Sequence, residues 1–459
     1  AETRTVVLGA LDVIAAIDPV VAADWMSDVS NYGTSKAVQK PVLEKLVALS
    51  DSLPVKDAMA KLGTVAIYIE SLRDAVAEKI IARTNAMPQD EAFNTIAGDL
   101  GNDYQSAPKL VPALLALAAK EGMTAEQKTR AYGIVALRGT YDRTLWTKAI
   151  SDWETAVTKD LPVDKGLKAA REMLENHYVK NNSGLSTLRQ AAVRAVNVLA
   201  PQAADPEEQR RAAHGLLEHA PKGGVEWTKA VQTDLAALDK LPLGRSVEMI
   251  AWYGRPSAKT GMDDAALAAK WAEIVARAEP DDLADAIMER LYDRNDSYRQ
   301  KIGAVEHAIL KTWVDIQLSR PVEDAWRDAQ RVSQRPGGSY NEYNVLREVL
   351  RREYLPQLLV TLADRLPPET ALAAVHAADS AAENGAAAGI VAQKWGQVVR
   401  GLEPEFRLKE AYRVAEGYTE NAMLRAEAVA VEKEACQTVA CGMTPQAFLS
   451  KIGAGPNVQ

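Results

Sequence analysis

Alanine-rich amphipathic runs recur along the chain, and each follows a proline or threonine and a short acidic or polar stretch. Proline suits the first turn of a helix because its missing N–H has no partner there, and acidic residues complement the positive end of the helix dipole. Each such phrase therefore predicts the start of a helix. The predicted starts are Pro54, Pro88, Thr124, Pro162, Pro206, Pro242, Pro280, Pro321, Pro367, Pro404 and Pro445.

The spacing of these starts predicts a repeating helical hairpin. Successive starts lie 34 to 46 residues apart, with a mean of about 39. A step of that length holds two helices of about 15 residues and two short turns. The second helix of each hairpin carries an aromatic residue within an apolar stripe of helical period, which predicts a core position. These aromatic residues are Trp146, Trp227, Trp271, Trp313, Tyr354 and Trp395.

Strand-like alternation bounded by tight-turn signals is absent from the sequence, so we expect an all-α fold. Stacked hairpins predict a right-handed α-solenoid of about ten hairpins with a period of about 39–41 residues, in which each hairpin contacts mainly its neighbours. Residues 1–53 are expected to form N-terminal capping helices that begin at Pro19 and Pro41. The repeats would occupy 54–441, and 442–459 would form a C-terminal cap and flexible tail.

Composition narrows the classes of function. The chain has 459 residues, 47% hydrophobic and 25% charged, which is ordinary for a globular protein but too long for one core. The net charge of −8 argues against a nucleic-acid partner, because nucleic-acid binders carry a basic face. No apolar run is long enough to span a membrane. The oligomeric state is not encoded in any pattern that we find.

The start of the chain and its two cysteines bear on the compartment. Ala1-Glu2-Thr3 is typical of a mature protein released from a signal peptide, so we expect a periplasmic or secreted location, with a cytoplasmic one as the alternative. Gly442 can end a helix and so place Cys436 and Cys441 within reach of a disulfide, which fits an oxidising compartment. The alternative is two reduced core cysteines. With no further ligand nearby, no metal site is expected.

Catalytic motifs are scarce. Asp281, Asp282 and Asp285 resemble the Asp-Asp-x-x-Asp motif by which all-α isoprenoid synthases hold magnesium, yet they also match the acidic helix start of every repeat. The phosphate-binding loop, the dinucleotide fingerprint, the nucleophile elbow and the zinc-protease motif are absent. The sequence therefore favours a protein without catalytic activity or cofactor. The alternative is an all-α enzyme acting on cell-wall glycan or an isoprenoid diphosphate.

The turns that follow the proline-started helices are rich in Tyr, Arg and Asn, and in a solenoid such turns share one edge. Tyr and Arg are enriched at binding hot spots, and loops on a rigid scaffold carry function. The alternative is that each Tyr packs over the neighbouring hairpin and each Arg bonds a helix-end carbonyl. The predicted partner-binding edge comprises Tyr253, Arg255, Tyr292, Arg294, Asn295, Tyr298, Arg335, Tyr340, Asn341 and Tyr343.

One repeat resembles a known motif. Pro404, Ala411-Tyr412 and Gly417-Tyr418 resemble a degenerate tetratricopeptide repeat, although HEAT-like repeats have a period closer to that of this chain. The resemblance, to α-hairpin repeat proteins in general, implies a scaffold and no catalytic residues. We therefore expect a non-catalytic scaffold or binding protein that engages a protein or extended polymer partner through a solenoid surface.

Overall fold

A computed structural model describes residues 2–28, 36–102, 107–138, 142–255, 261–292, 301–334, 344–382 and 387–438. All regular secondary structure in these ranges is helical, which confirms the all-α fold class. The chain divides into two compact units, Ala1–Asp234 and Leu235–Gln459. The division falls inside the predicted repeat segment 54–441, and residues 439–459 lie outside the described ranges.

The N-terminal unit is built from short helices, most of which pack on the next helix or the next but one, as α6 does on α7 and α8, and α10 on α12. Two clusters of buried apolar side chains form its core. The helices are α1 (Glu2–Ile17), α2 (Pro19–Asp28), α3 (Lys36–Leu49), α4 (Val55–Tyr68), α5 (Arg73–Thr84), α6 (Gln89–Asn102), α7 (Ala107–Ala118), α8 (Ala125–Arg138), α9 (Arg143–Thr155), α10 (Val163–Glu175), α11 (His177–Asn181), α12 (Ser186–Leu199), α13 (Pro206–Leu216) and α14 (Val225–Ala237), the last of which runs past the boundary at residue 234.

The C-terminal unit follows the same pattern, with α15 against α17, α16 against α18, α21 against α22 and α23, and α24 against α25. Trp271, Trp313 and Trp395 are buried, which confirms their predicted core role. The helices are α15 (Leu243–Tyr253), α16 (Asp264–Arg277), α17 (Pro280–Leu291), α18 (Ala304–Ser319), α19 (Val322–Ser333), α20 (Val345–Val349), α21 (Leu355–Ala363), α22 (Pro368–Ala382), α23 (Ala388–Arg400), α24 (Pro404–Arg413) and α25 (Ala422–Thr438).

Helices begin at all the predicted starts except Pro445, which lies outside the described residues. The prolines occupy two registers. Pro206, Pro280 and Pro404 are the first helical residues, as expected. Other prolines are N-caps: their backbone is extended, and their carbonyl oxygen accepts the first hydrogen bond of the helix. These are Pro54, Pro162, Pro242 and Pro321, with φ between −53° and −49°. The prolines thus start helices by one of two local mechanisms.

Pro41 corrects one expectation, because it lies inside α3 and not at its start. A proline within a helix removes one backbone hydrogen bond. The turn that follows it buries Val42, Leu43 and Leu46 completely. The burial of these side chains offsets the lost hydrogen bond, so the helix continues past Pro41.

Polar contacts between helices repeat at the predicted period. In the N-terminal unit, Arg194 bonds Glu154 across 40 residues and Gln127 bonds Asp90 across 37. In the C-terminal unit, the pairs Arg277–Asp239, Trp271–Thr312 and Tyr292–Arg331 span 38, 41 and 39 residues. Equivalent positions one repeat apart are therefore in contact, which is consistent with a helical repeat of about 39 residues.

Within the described residues, every helix is too short or too polar to cross a lipid bilayer.

Candidate binding cleft

A cleft of about 1100 Å³ opens in the C-terminal unit along the proline-started helices α15, α17 and α19. Its walls carry both charges and one aromatic ring. The polar and aromatic lining residues are Arg245, Glu248, Asp285, Glu289, Arg290, Tyr292 and Arg331. The size is suited to a side chain cluster or a small ligand.

The acidic wall is the outer face of α17. Leu283, Ile287 and Leu291 recur at helical spacing on the buried face, so Asp285 and Glu289, one turn apart, point away from the core. Neither carboxylate forms an ion pair or hydrogen bond with a described residue. The wall therefore presents two solvated negative charges to an incoming partner.

The cleft also carries an aromatic ring that two guanidinium groups contact. Tyr292 follows α17, and its hydroxyl donates a hydrogen bond to the carbonyl oxygen of Arg331 at 3.0 Å. The guanidinium carbons of Arg347 and Arg331 lie 4.5 and 5.2 Å from the ring centroid, within the range of a cation–π contact. Arg347 also donates to the helix-end carbonyl of Gln334 at 2.6 Å. The ring is thus fixed in place while still 36% exposed.

The α15 wall is mixed in charge. Arg245 Nη1 lies 2.6 Å from Glu248 Oε2, one turn along the same helix, and both side chains are half-exposed. Gly244 lies beside this pair, and a Cβ atom there would meet the Glu289 carboxylate at 3.3 Å. The absence of a side chain at Gly244 therefore gives Glu289 room in the cleft.

Asp281 and Asp285 of the synthase-like motif have different surroundings. The Asp281 carboxylate is ion-paired with Arg320, at 2.9 Å from its Nε, while Asp285 lines the cleft. In the part of the chain that the structure describes, no group of three His, Cys, Asp or Glu residues is arranged to hold a metal ion.

The structure describes three residues of the predicted binding edge. Tyr292 lines the cleft. Tyr253 is only 2% exposed and packs edge-on against Trp252, with ring centroids 5.5 Å apart, so its ring belongs to the core. Arg255 is half-buried. The remaining seven residues lie outside the described ranges, and their role stays a prediction: Arg294, Asn295, Tyr298, Arg335, Tyr340, Asn341 and Tyr343.

The predicted edge omitted six polar residues that line the cleft, and the sequence carries a usable signal for one of them. Arg331 stands 39 residues after Tyr292, which is one mean period, so the two occupy equivalent positions. Asp285 is part of the acidic helix start, which every repeat shares and which therefore singles out none. The helical spacing Ser246, Ile250 and Tyr253 would also have placed Tyr253 on the buried stripe.

A second charged cluster lies between α22 and α24, outside the cleft. His376 Nε2 is 2.6 Å from Glu410 Oε1, and Arg413 Nε donates to Glu410 Oε2 at 3.0 Å. Burial raises the pKa of Glu410, but the hydrogen bonds from His376 and Arg413 together outweigh burial and lower that pKa to about 2. The cluster therefore holds an ionised carboxylate between two helices.

The predicted cysteine pair is described in part. Cys436 lies on α25, half-buried, and packs against Leu408 and Ala435. Cys441 lies outside the described residues, so the disulfide stays a prediction.

No model of a known protein family matches the sequence, and a comparison with curated proteins finds no match.

Proposed function

We propose that the protein is a non-catalytic helical-repeat protein that binds a protein or extended polymer partner through the cleft of α15, α17 and α19. The observation that carries the proposal is that one cleft holds both the exposed ring of Tyr292 and two carboxylates, Asp285 and Glu289, that bond no described residue. Preorganised aromatic and arginine side chains are the usual anchors of binding surfaces, because little conformational entropy is lost when they are covered.

The proposed architecture is the right-handed α-solenoid of about ten hairpins. Its support is that, within each unit, helices pack chiefly on the next helix and the next but one. Contacts between residues 37 to 41 positions apart add to this support. An array of that kind offers an extended surface suited to an elongated partner.

The charges of the cleft favour a polypeptide over a nucleic acid. A partner with basic side chains would meet Asp285 and Glu289, and one with carboxylates would meet Arg331 beside Tyr292. A peptide chain supplies both signs, whereas a phosphate backbone would be repelled by the acidic wall and by the net charge of −8.

The experiment measures affinity for a partner isolated with the full-length chain from its source cells. Calorimetry would compare the wild-type protein with Tyr292→Ala, Arg331→Ala and the control Phe406→Ala. Phe406 is 65% exposed on α24 and does not line the cleft, so it is a matched exposed aromatic residue. We expect Tyr292→Ala to weaken binding at least ~10-fold and Phe406→Ala by less than ~2-fold.

Unchanged affinity in both cleft variants, with melting curves like that of the wild type, would show that the partner binds elsewhere. A partner lost equally from all three variants would also contradict the proposal, because the effect would not be specific to the cleft.

A further inference from the structure

A second cavity, of about 510 Å³, opens in the N-terminal unit between α8 and α10. Trp153 of α9, only 2% exposed, is the most deeply buried side chain of its lining. Cavities of this size, with a largely apolar lining and a few polar groups, are the usual binding sites of small molecules. The other apolar lining residues are Ile134, Leu137, Leu161, Ala169 and Met173.

The indole of Trp153 brings an unused hydrogen-bond donor to this cavity. Its Nε1 donates to no described residue, whereas the Nε1 of Trp146, on the same helix, donates to the carbonyl oxygen of Ala136 at 2.7 Å. Unlike the unpartnered Nε1 of Trp313, that of Trp153 is not closed off from its surroundings. Buried tryptophans usually find an acceptor for this N–H. The described part of the chain therefore supplies a donor to the cavity but no acceptor for it.

Gly133 of α8 keeps this donor accessible. A Cβ atom at position 133 would lie 3.3 Å from both Nε1 and Cδ1 of Trp153, closer than side chains normally pack. Glycine is unfavourable inside a helix, but here it leaves the N–H edge of the indole uncovered. Because Gly133 and Trp153 both line the cavity, this edge faces the space that a ligand would occupy.

Two ion pairs at the rim of the cavity balance their own charges. The Lys165 ammonium lies 2.5 Å from the Glu126 carboxylate, and the Lys168 ammonium lies 3.9 Å from that of Glu172. All four residues line the cavity, and together they contribute no net charge.

Arg130 adds one positive charge to the rim that no described carboxylate balances. Its Nη1 donates to the amide oxygen of Asn94 at 3.0 Å, which is a neutral acceptor. Arg130 is exposed and lies one turn before Gly133, on the same face of α8. Its guanidinium can therefore approach an anion that is bound at the indole N–H.

We propose that this cavity binds a small organic carboxylate with an apolar aromatic or aliphatic body. The apolar body would cover Ile134, Leu137 and Met173, and the carboxylate would accept the hydrogen bond of Trp153 Nε1 near Arg130. The indole N–H is only a donor and therefore selects an acceptor, and the arginine favours a negatively charged one. This site lies in the N-terminal unit and is independent of the cleft of α15, α17 and α19.

Calorimetric titration of the full chain at pH 7 with 2-naphthoate and with octanoate tests the proposal. We expect at least one of the two to bind with a Kd of about 10–300 μM. The matching amines, 2-naphthylmethylamine and octylamine, carry the same apolar bodies with a positive charge and should bind at least ~10-fold more weakly. In an isotope-labelled chain, the NMR resonance of the Trp153 indole N–H should shift on binding, which places the ligand at this donor.

Substitutions separate the donor from the ring. Trp153→Phe keeps an aromatic ring but removes the N–H, and it should weaken carboxylate binding at least ~10-fold. The matched control is Trp227→Phe, which changes a half-buried tryptophan of the same unit outside the cavity and should alter the affinity by less than ~2-fold. Arg130→Gln, at an exposed position, should weaken binding ~3- to 10-fold and reduce its dependence on salt concentration. Circular dichroism melting checks that each variant folds.

Failure of both carboxylates to bind at concentrations up to about 10 mM would overturn the proposal, as would equal binding of the matching amines. Unchanged affinity in a folded Trp153→Phe variant would also overturn it, because the ligand would then lie elsewhere. If that variant does not fold, unchanged affinity and salt dependence in Arg130→Gln would have the same meaning.

Discussion

Gln317 on α18 is a buried amide that forms no hydrogen bond with a described residue. The side chain is 0% exposed, and neither Nε2 nor Oε1 lies within bonding distance of a donor or acceptor in the described ranges. Trp313, one turn earlier on the same face, is also fully buried with an unpartnered Nε1. Replacing Gln317 by leucine should therefore stabilise the C-terminal unit.

The magnitude follows from the cost of desolvation. A buried polar group that lacks its hydrogen bond costs about 1–3 kcal/mol, and an apolar side chain of similar size removes that cost. We expect Gln317→Leu to raise the free energy of unfolding by about 1–2 kcal/mol, which corresponds to about 2–8 °C in Tm for a unit of this size.

The matched control is Gln209→Leu on α13. Gln209 is also buried, at 6% exposed, but its Nε2 donates to the carbonyl oxygen of Ala203 at 2.6 Å. Leucine there would leave that carbonyl without this donor and should destabilise the N-terminal unit by about 1–3 kcal/mol.

Thermal and urea unfolding, followed by circular dichroism, would measure both variants. If Gln317→Leu lowers stability as much as Gln209→Leu, the reasoning is refuted. The Gln317 amide would then have a hydrogen-bond partner, such as a buried water shared with Trp313, and the polar side chain would stabilise this part of the core.

Three further substitutions test local geometry and charge. Gly166→Ala on α10 should destabilise by more than about 2 kcal/mol in urea unfolding, because the new Cβ would lie 2.3 Å from the Val157 carbonyl oxygen. Gly215→Ala on α13, with nothing within 4 Å, should stabilise by about 0.5–1 kcal/mol; equal effects at the two sites would contradict this packing. Because the folded pKa of Glu410 is lowered from 4.5 to about 2, its ionised form stabilises the fold above pH 4.5, and that contribution is lost as pH falls toward 2. Glu410→Gln should therefore cost about 3 kcal/mol at pH 7 and much less near pH 2, whereas a cost independent of pH would show that the charge is not responsible.

The positions of helices could be predicted because their causes are local. Helices begin at every predicted repeat start that the structure describes. The aromatic spacing placed Trp271, Trp313 and Trp395 in the core, whereas Trp146, Trp227 and Tyr354 are only half-buried. Pro41 departed from the rule because apolar burial on the following turn outweighs one missing hydrogen bond, and the strength of that burial depends on neighbouring helices.

The cleft was less predictable because it depends on residues that meet across repeats. Tyr292 was identified from its turn, but the cation–π contact with Arg347 and the bond to Arg331 depend on how α17, α19 and α20 pack. Tyr253, of the same residue type and at a similar helix end, points into the core. The composition of a turn therefore identifies candidate binding residues. Whether a given ring is exposed or buried depends on how its helix is oriented about its own axis against the neighbouring helices.

The central claim, a partner bound in the cleft of the C-terminal unit, is tested most directly by site-specific photo-crosslinking in the source cells. A photoreactive amino acid would replace Glu289 on the cleft wall in one chain and Phe406 on the surface of α24 in another. We expect one protein to crosslink in defined ratio at Glu289 and not at Phe406. Crosslinking of the same protein at Phe406 alone, or of no protein at Glu289, would contradict the account.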